Sequence, residues 1–292
     1  MHEIDNFTRA TVLSHALPYI QLYNNKIVVI KYGGHAMINE DLKNLVMKDI
    51  ALLQLVGIKV VLVHGGGPEI NDMTEKLGIK SHFVNGLRVT TPETANVVQM
   101  VLGGKINKNL VNILESEGAN AIGVCGIDGS MIKAEKINDE LGFVGEITEI
   151  NEKIILDLID KNYIPVIATL GSDDESNTYN INADTAAAKI AGKLKAEALI
   201  NMTDIAGLML DVNEPSTLIR DITPAETQEL IDKDIISGGM IPKVKCCTDA
   251  IEDGVKKVFI IDGTVPHSIL IDLLTSEGMG TMFSSEVQNE NK

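Results

Sequence analysis

Lys31 lies just past the β-branched run Ile27-Val28-Val29-Ile30 and two residues before Gly33 and Gly34, and a second run, Val60-Val61-Leu62-Val63, ends in His64-Gly65-Gly66-Gly67-Pro68. A short apolar strand that ends in glycines and opens into a helix gathers bare backbone N–H groups at one point, where they attract an anion. Two such turns on neighbouring strands would lie along the carboxyl edge of a parallel sheet, the edge at which open α/β folds bind ligands. A lysine at the first turn serves phosphoryl transfer and has no place in a dinucleotide-binding turn. The pair reads as a phosphate handler, although either turn alone could be a simple tight turn.

Three other segments carry chemistry-bearing side chains. Asn180-Ile181-Asn182-Ala183-Asp184 runs into the small-residue helix Thr185–Ala191. Asn182 or Asp184 would make a good N-cap, but capping leaves the alternation of two asparagines before an aspartate unexplained. Gly238-Gly239-Met240-Ile241-Pro242-Lys243 puts a lysine in the first turn of a helix, where it opposes the macrodipole unless an anionic ligand offsets it; a solvated lysine is the plain alternative. Asn85-Gly86-Leu87-Arg88-Val89-Thr90 reads as a turn that delivers Arg88 on a strand, either to a surface salt bridge or to a bidentate carboxylate clamp. His64 has no metal-like histidine partner at helical spacing and reads as structural.

The elements that must position these residues alternate. An amphipathic pattern over 4–24, with Phe7, Ala10, Leu13, Leu17 and Ile20 on one face and a kink at Pro18, precedes the first strand. Asn39 caps a helix that runs to Val56 and ends at Gly57; strand 58–63 follows, then a helix opened by Pro68 and closed by Gly78. Helices around 92–102 and 105–117, a strand at 121–124, a hairpin of 130–134 with 143–150, a helix 151–161 and a strand 164–168 complete the first half. Helices 184–194, 224–233, 240–253 and 266–274 and strands 198–201 and 257–261 make the second. The expected fold is α/β: an open, mostly parallel sheet sandwiched between helices. The polar stretch Gly171–Thr178 is the expected lobe junction, dividing the chain into 1–26, 27–175 and 176–292.

Composition narrows the partners. The chain has 292 residues, 45% of them hydrophobic, a formal charge of −16 and three arginines, Arg9, Arg88 and Arg220. Such a surface suits neither nucleic acid nor an anionic membrane, so an anionic ligand must be held by individually placed cations. Cys125, Cys246 and Cys247 form neither a metal-ligand spacing nor a disulfide framework, no apolar run approaches a membrane span, and the acidic start (Glu3, Asp5) is unlike a signal peptide. The expected compartment is the cytoplasm, and only 288–292 look disordered. Gly104-Lys105 and Gly192-Lys193 lack the following Ser or Thr of a Walker A loop, and no G-x-G-x-x-G with a distal acid follows the first strand.

KYGG (Lys31–Gly34), HGGGP (His64–Pro68), NGLRVT (Asn85–Thr90), NINAD (Asn180–Asp184) and GGMIPK (Gly238–Lys243), in that order, resemble the N-acetyl-L-glutamate kinase family of the amino-acid kinase fold over 27–283. The resemblance implies that MgATP phosphorylates the side-chain carboxylate of acetylglutamate, the kinase step of arginine biosynthesis, with no protein-bound metal. By the same resemblance Lys31 and Lys243 stabilise the transferring phosphoryl group, Asp184 orients them, Gly33, Gly34 and Gly65 shape the phosphate-binding turn, Gly66 and Gly67 offer N–H donors, and Arg88 with Asn180 holds acetylglutamate. Residues 4–24 and Ser276–Met282 resemble the arginine-inhibited members, which implies a homohexamer built as a trimer of dimers and an arginine site at Tyr19, Lys195, His267, Glu277 and Gly278; a PII-type signalling protein is a further partner left open. His35 stands where an asparagine is more frequent, and Ile127 where a lysine is. Other carboxylate or carbamate kinases of the same fold, a catalytically silent arginine sensor and a nicotinamide-dependent dehydrogenase are the competing readings.

Overall fold

The computed structural model describes residues 5–286, and of His35 and Ala36 it describes the backbone only. The expectations placed on Glu3, on 288–292 and on the His35 side chain therefore lie outside the described residues. Within them, an eight-stranded sheet is ordered Asp221–Ile222, Thr281–Ser284, Lys257–Asp262, Ala198–Thr203, Ile27–Tyr32, Lys59–His64, Ile164–Ala168, Ala121–Cys125. Every pairing in it is parallel except that of Thr281–Ser284 with Lys257–Asp262. The central strands are apolar on both faces because helices cover both, which is why they read as continuous Val/Ile/Leu runs.

Crossing strand order sets the site. Ile27–Tyr32 sits between Lys59–His64 on one side and Ala198–Thr203 on the other, so the two glycine turns and the end of Ala198–Thr203 meet at one edge. Local chemistry fixes the entering helices. Asn39 accepts a hydrogen bond from Leu42 N at 3.1 Å to open helix Glu40–Leu55, and Gly57 turns the chain out of it at φ +92°. Helix Gly67–Lys76 starts inside the second glycine turn with Pro68 in its first turn.

Two local expectations, the helix break at Gly103-Gly104 and the start of the last helix, need correction. The two helices around Gly103-Gly104 are one continuous helical run, Pro92–Gln99, a π-helical Met100–Ile106 and Asn107–Ser116. Tertiary packing of Val101, Leu102 and Ile106 into the core overrides the local cost of the glycines. The last helix begins at Ser268 rather than Pro266, because His267 is left-handed at φ +62°. Gly171–Thr178 is the turn of an antiparallel pair, Leu170–Ser172 with Thr178–Asn180, closed by Asp173, whose carboxylate accepts from Asn177 N (2.8 Å) and Tyr179 Oη (2.8 Å). That pair extends the expected hairpin, Ile132–Lys136 with Gly145–Ile150, into a second, four-stranded sheet.

Helix Asn6–Tyr23 is capped by Asp5 and contains Pro18. Its apolar face divides: Tyr23 is buried and Tyr19 and Ile20 pack against the core, while Phe7, Leu13 and Leu17 are exposed. Among the described residues no helix is long and apolar enough to cross a membrane.

Candidate active site

Lys31 comes off the carboxyl end of the central strand, 6% exposed, with Nζ 2.8 Å from Asp184 Oδ1 and donating to the Met202 carbonyl at 3.2 Å. Asp184 stands in the first turn of helix Ala183–Lys193, and its other oxygen accepts from Lys243 Nζ at 2.9 Å. Lys243 is in the first turn of helix Met240–Glu252. One carboxylate thus bridges two ammonium groups from separate elements. Burial pushes the Asp184 carboxyl up, but the charges of Lys31 and Lys243 outweigh it and hold the group at about 2. The capping role expected of one of the two residues falls to Asn182, whose Oδ1 accepts from Thr185 N at 3.0 Å. Asp184 is left for the lysines.

The glycine turns flank this bridge. A Cβ on Gly33 would stand 3.1 Å from both Cε and Nζ of Lys31, so the bare backbone there is what lets the lysine curl toward Asp184. A Cβ on Gly66 would lie 2.3 Å from Ile106 Cδ1 and 2.7 Å from Leu102 Cδ2. The π-helical segment therefore backs the second turn and presses it toward the site, a role that no local signal except the odd Gly-Gly in a helical pattern foreshadows. His64 is fully buried beneath the same turn. Its Nε2 accepts from Asn107 Nδ2 at 3.1 Å, which places the proton on Nδ1, and Nδ1 donates to the Gly65 carbonyl at 2.9 Å. Burial pushes its pKa down to about 4, so it stays neutral and structural.

A cradle of about 170 Å³ opens beside the bridge, lined by Gly65, Gly66, Gly67, Arg88, Asn180 and Asn182. The Asn85-Gly86 turn, left-handed at both residues (φ +50° and +80°), folds Phe83–Val84 onto Leu87–Arg88. Arg88 is 7% exposed, donates to Ser81 Oγ (3.0 Å) and the Gly67 carbonyl (3.3 Å), and lies 4.7 Å over the Phe83 ring. No carboxylate of the described residues forms an ion pair with it; the surface salt bridge is not what is found. Asn180 Nδ2 donates to Thr90 Oγ1 at 3.3 Å. Ser81 and Phe83, which help to hold Arg88, carried no recognisable signal in the sequence, and Thr90, which holds Asn180, stood in a quoted motif without an assigned role.

The profile of the amino acid kinase family matches residues 26–262. The chain belongs to the amino acid kinase family. Within it, the acetylglutamate kinase of Brachyspira hyodysenteriae is 55% identical over 98% of this chain and 100% of its own, and that of Clostridium beijerinckii is 53% identical over 96% and 99%. Among solved structures, the N-acetylglutamate synthase of Neisseria gonorrhoeae in complex with coenzyme A and N-acetyl-glutamate superposes with a TM-score of 0.84 at 25% identity, covering 97% of this chain and 64% of that one. This chain spans less than two thirds of the synthase. The Giardia lamblia carbamate kinase bound to AMP-PNP shares the fold, at a TM-score of 0.64 and 19% identity over 90% of this chain and 99% of that one.

The five residues assigned to an arginine site are only partly assembled in this amino acid kinase. Tyr19, Glu277 and Gly278 line one cavity of about 690 Å³ between the N-terminal helix and the C-terminal strand, together with Arg220 and Asp272. Lys195 and His267 are outside its lining: Lys195 Nζ donates to the Asp253 carbonyl at 2.6 Å, and His267 Nδ1 pairs with the buried Asp49 at 2.7 Å. Ile127 packs, partly buried, against the core after the edge strand Ala121–Cys125. Among the described residues no group of three or more His, Cys, Asp or Glu side chains is arranged to hold a metal ion.

Proposed function

We propose that this chain transfers the γ-phosphoryl group of MgATP to the side-chain carboxylate of N-acetyl-L-glutamate, yielding N-acetyl-L-glutamyl 5-phosphate and ADP, the kinase step of arginine biosynthesis. The observation that carries the proposal is the Lys31–Asp184–Lys243 bridge set against the Arg88-lined cradle. A side-chain carboxylate is ionised at neutral pH, so attack needs no general base. The work left is to bring two anions into line and to neutralise the charge that develops as the carboxylate O–P bond forms and the bond to the β-phosphate breaks. Lys31 and Lys243 supply that charge, Asp184 fixes their spacing, and the N–H groups of Gly66 and Gly67 add uncharged donors.

Arg88 and Asn180 then hold acetylglutamate in the cradle, with 27–175 as the acceptor-binding and dimerisation lobe and 176–292 as the nucleotide lobe; magnesium enters with ATP. Hydroxylamine traps the acyl phosphate as hydroxamate. Hydroxamate forming with free glutamate as readily as with acetylglutamate would overturn the acceptor assignment. Lys31→Ala and Lys243→Ala should each lower kcat by about 10²–10³, the loss on removing one preorganised donor.

Feedback inhibition by L-arginine is a second part of the proposal. The 690 Å³ cavity that brings Tyr19 to Glu277 and Gly278 supports it, since a guanidinium suits a carboxylate there. The exposed Phe7, Leu13 and Leu17 support the accompanying assembly, in which N-terminal helices pair across dimers into a homohexamer. On this reading the enzyme works in the cytoplasm.

A further inference from the structure

Strand Ala198–Thr203 reads Ala-Leu-Ile-Asn-Met-Thr, which places one carboxamide in the middle of the central sheet. Asn201 is 7% exposed and in register with Lys31 on the adjacent parallel strand, so the two side chains leave the sheet on the same face. Its Nδ2 donates to Cys247 Sγ at 3.4 Å, and its Oδ1 is buried with no hydrogen-bond partner. Turning the amide over would exchange the two atoms and still leave one without a partner. A thiol sulfur is a weak acceptor, so packing alone is a poor reason to bury an amide here.

Two placements give the amide a purpose. Cys247 lies one helical turn after Lys243, on the same face of helix Met240–Glu252. Asn201, Asp184, Thr203, Lys243 and Cys247 also line one small cavity of about 10 Å³, the space of a single water. We propose that Asn201 is a positioning residue for phosphoryl transfer: it seats the helix that carries Lys243 against the strand beside Lys31, and links its second amide atom to Asp184 through one buried water. The proposal rests on the reading of Lys31, Asp184 and Lys243 given above.

Asn201→Leu keeps the volume and removes both polar atoms. With Lys243 loosened, kcat should fall about ten- to a hundredfold, as for a small misplacement of a catalytic group, while KM for acetylglutamate stays within about twofold. In a Lys243→Ala background the same substitution should cause a much smaller loss, because the larger part of its effect passes through the Lys243 ammonium. A wild-type kcat in Asn201→Leu, or an undiminished further loss in the Lys243→Ala background, would overturn the proposal. Should Asn201→Leu fail to fold, Cys247→Ala removes the seat instead and is expected to show the same fall in kcat at constant KM; an unchanged kcat there overturns the proposal as well. Lys31→Ala and Lys243→Ala at wild-type rates would overturn the reading of the site itself, a result distinguishable from failure at Asn201 alone.

Discussion

Asp184 does at residue scale what neither lysine could do alone: its two oxygens hold Lys31 and Lys243, at 2.8 and 2.9 Å, on either side of one point. Its folded pKa, about 2, lies below the ordinary 3.8, so its charge stabilises the fold above about pH 4 and that contribution is lost as the pH falls through 2. Asp184→Asn should therefore be slower at every pH, and its stability deficit relative to wild type should shrink as the pH is lowered from 4 to 2. Acid unfolding followed by circular dichroism checks the sign; a deficit that stays constant across that window would remove Asp184 as the source. Arg88 should behave differently. A lysine there cannot reproduce a planar fork resting on the Phe83 ring, so Arg88→Lys should raise KM for acetylglutamate and leave KM for ATP nearly unchanged. Equal changes in both would place Arg88 outside the acceptor cradle.

Glycine turns are useful only if other elements press them into place, and the two turns are pressed in different ways. Gly33 is crowded by the tip of Lys31, a flexible group, whereas Gly66 is crowded by Leu102 and Ile106, which are fixed in the π-helical segment of a long helical run. Gly33→Ala should accordingly lower kcat with little change in thermal midpoint, because the side chain that yields is Lys31, proposed above to act on the phosphoryl group. Gly66→Ala should lower both, costing about 1–3 kcal/mol of stability as an overpacked core site. Trimming Ile106 to Ala in the Gly66→Ala protein should restore part of the midpoint; no recovery would mean that the turn is not held by that helix. The turns and the helix cap at Asn39 were legible because they depend on residues two to four positions apart. The π-helical backing was not, since two glycines in a helical pattern read locally as a break.

At the scale of the whole molecule, the N-terminal helix packs on the core chiefly through its far end among the described residues. Tyr23 is buried and Tyr19 lines the large cavity, while Phe7, 81% exposed, and Leu13 turn most of their side-chain surface to solvent. If that face pairs with another copy, deleting residues 1–25 should leave an active dimer that no longer responds to arginine, because the phosphoryl-transfer site is built entirely from later elements. Light scattering and an arginine titration on the truncated chain decide it. A truncated protein that is still hexameric and still inhibited would sink the assembly proposal.

By itself the sequence determined the alternation of strands and helices, the two glycine turns, the turn that presents Arg88 and the identity of the lysines and the aspartate, because each depends on neighbours within one turn or one strand. It also separated this chain from Walker A and dinucleotide-binding proteins through residues that are absent from fixed spacings. Only the tertiary structure decided that Asn182 takes the cap and leaves Asp184 to two lysines from other elements, that Ser81 and Thr90 hold the cradle's side chains, and that Asn201 lies in register with Lys31. Those pairings cross as many as 171 positions of sequence, as between Lys31 and the Met202 carbonyl, and strand order alone brings them together. The antiparallel strand Thr281–Ser284 and the hairpin at Asp173 belong to the same class: both are short, and their pairing comes from partners that no local periodicity reveals.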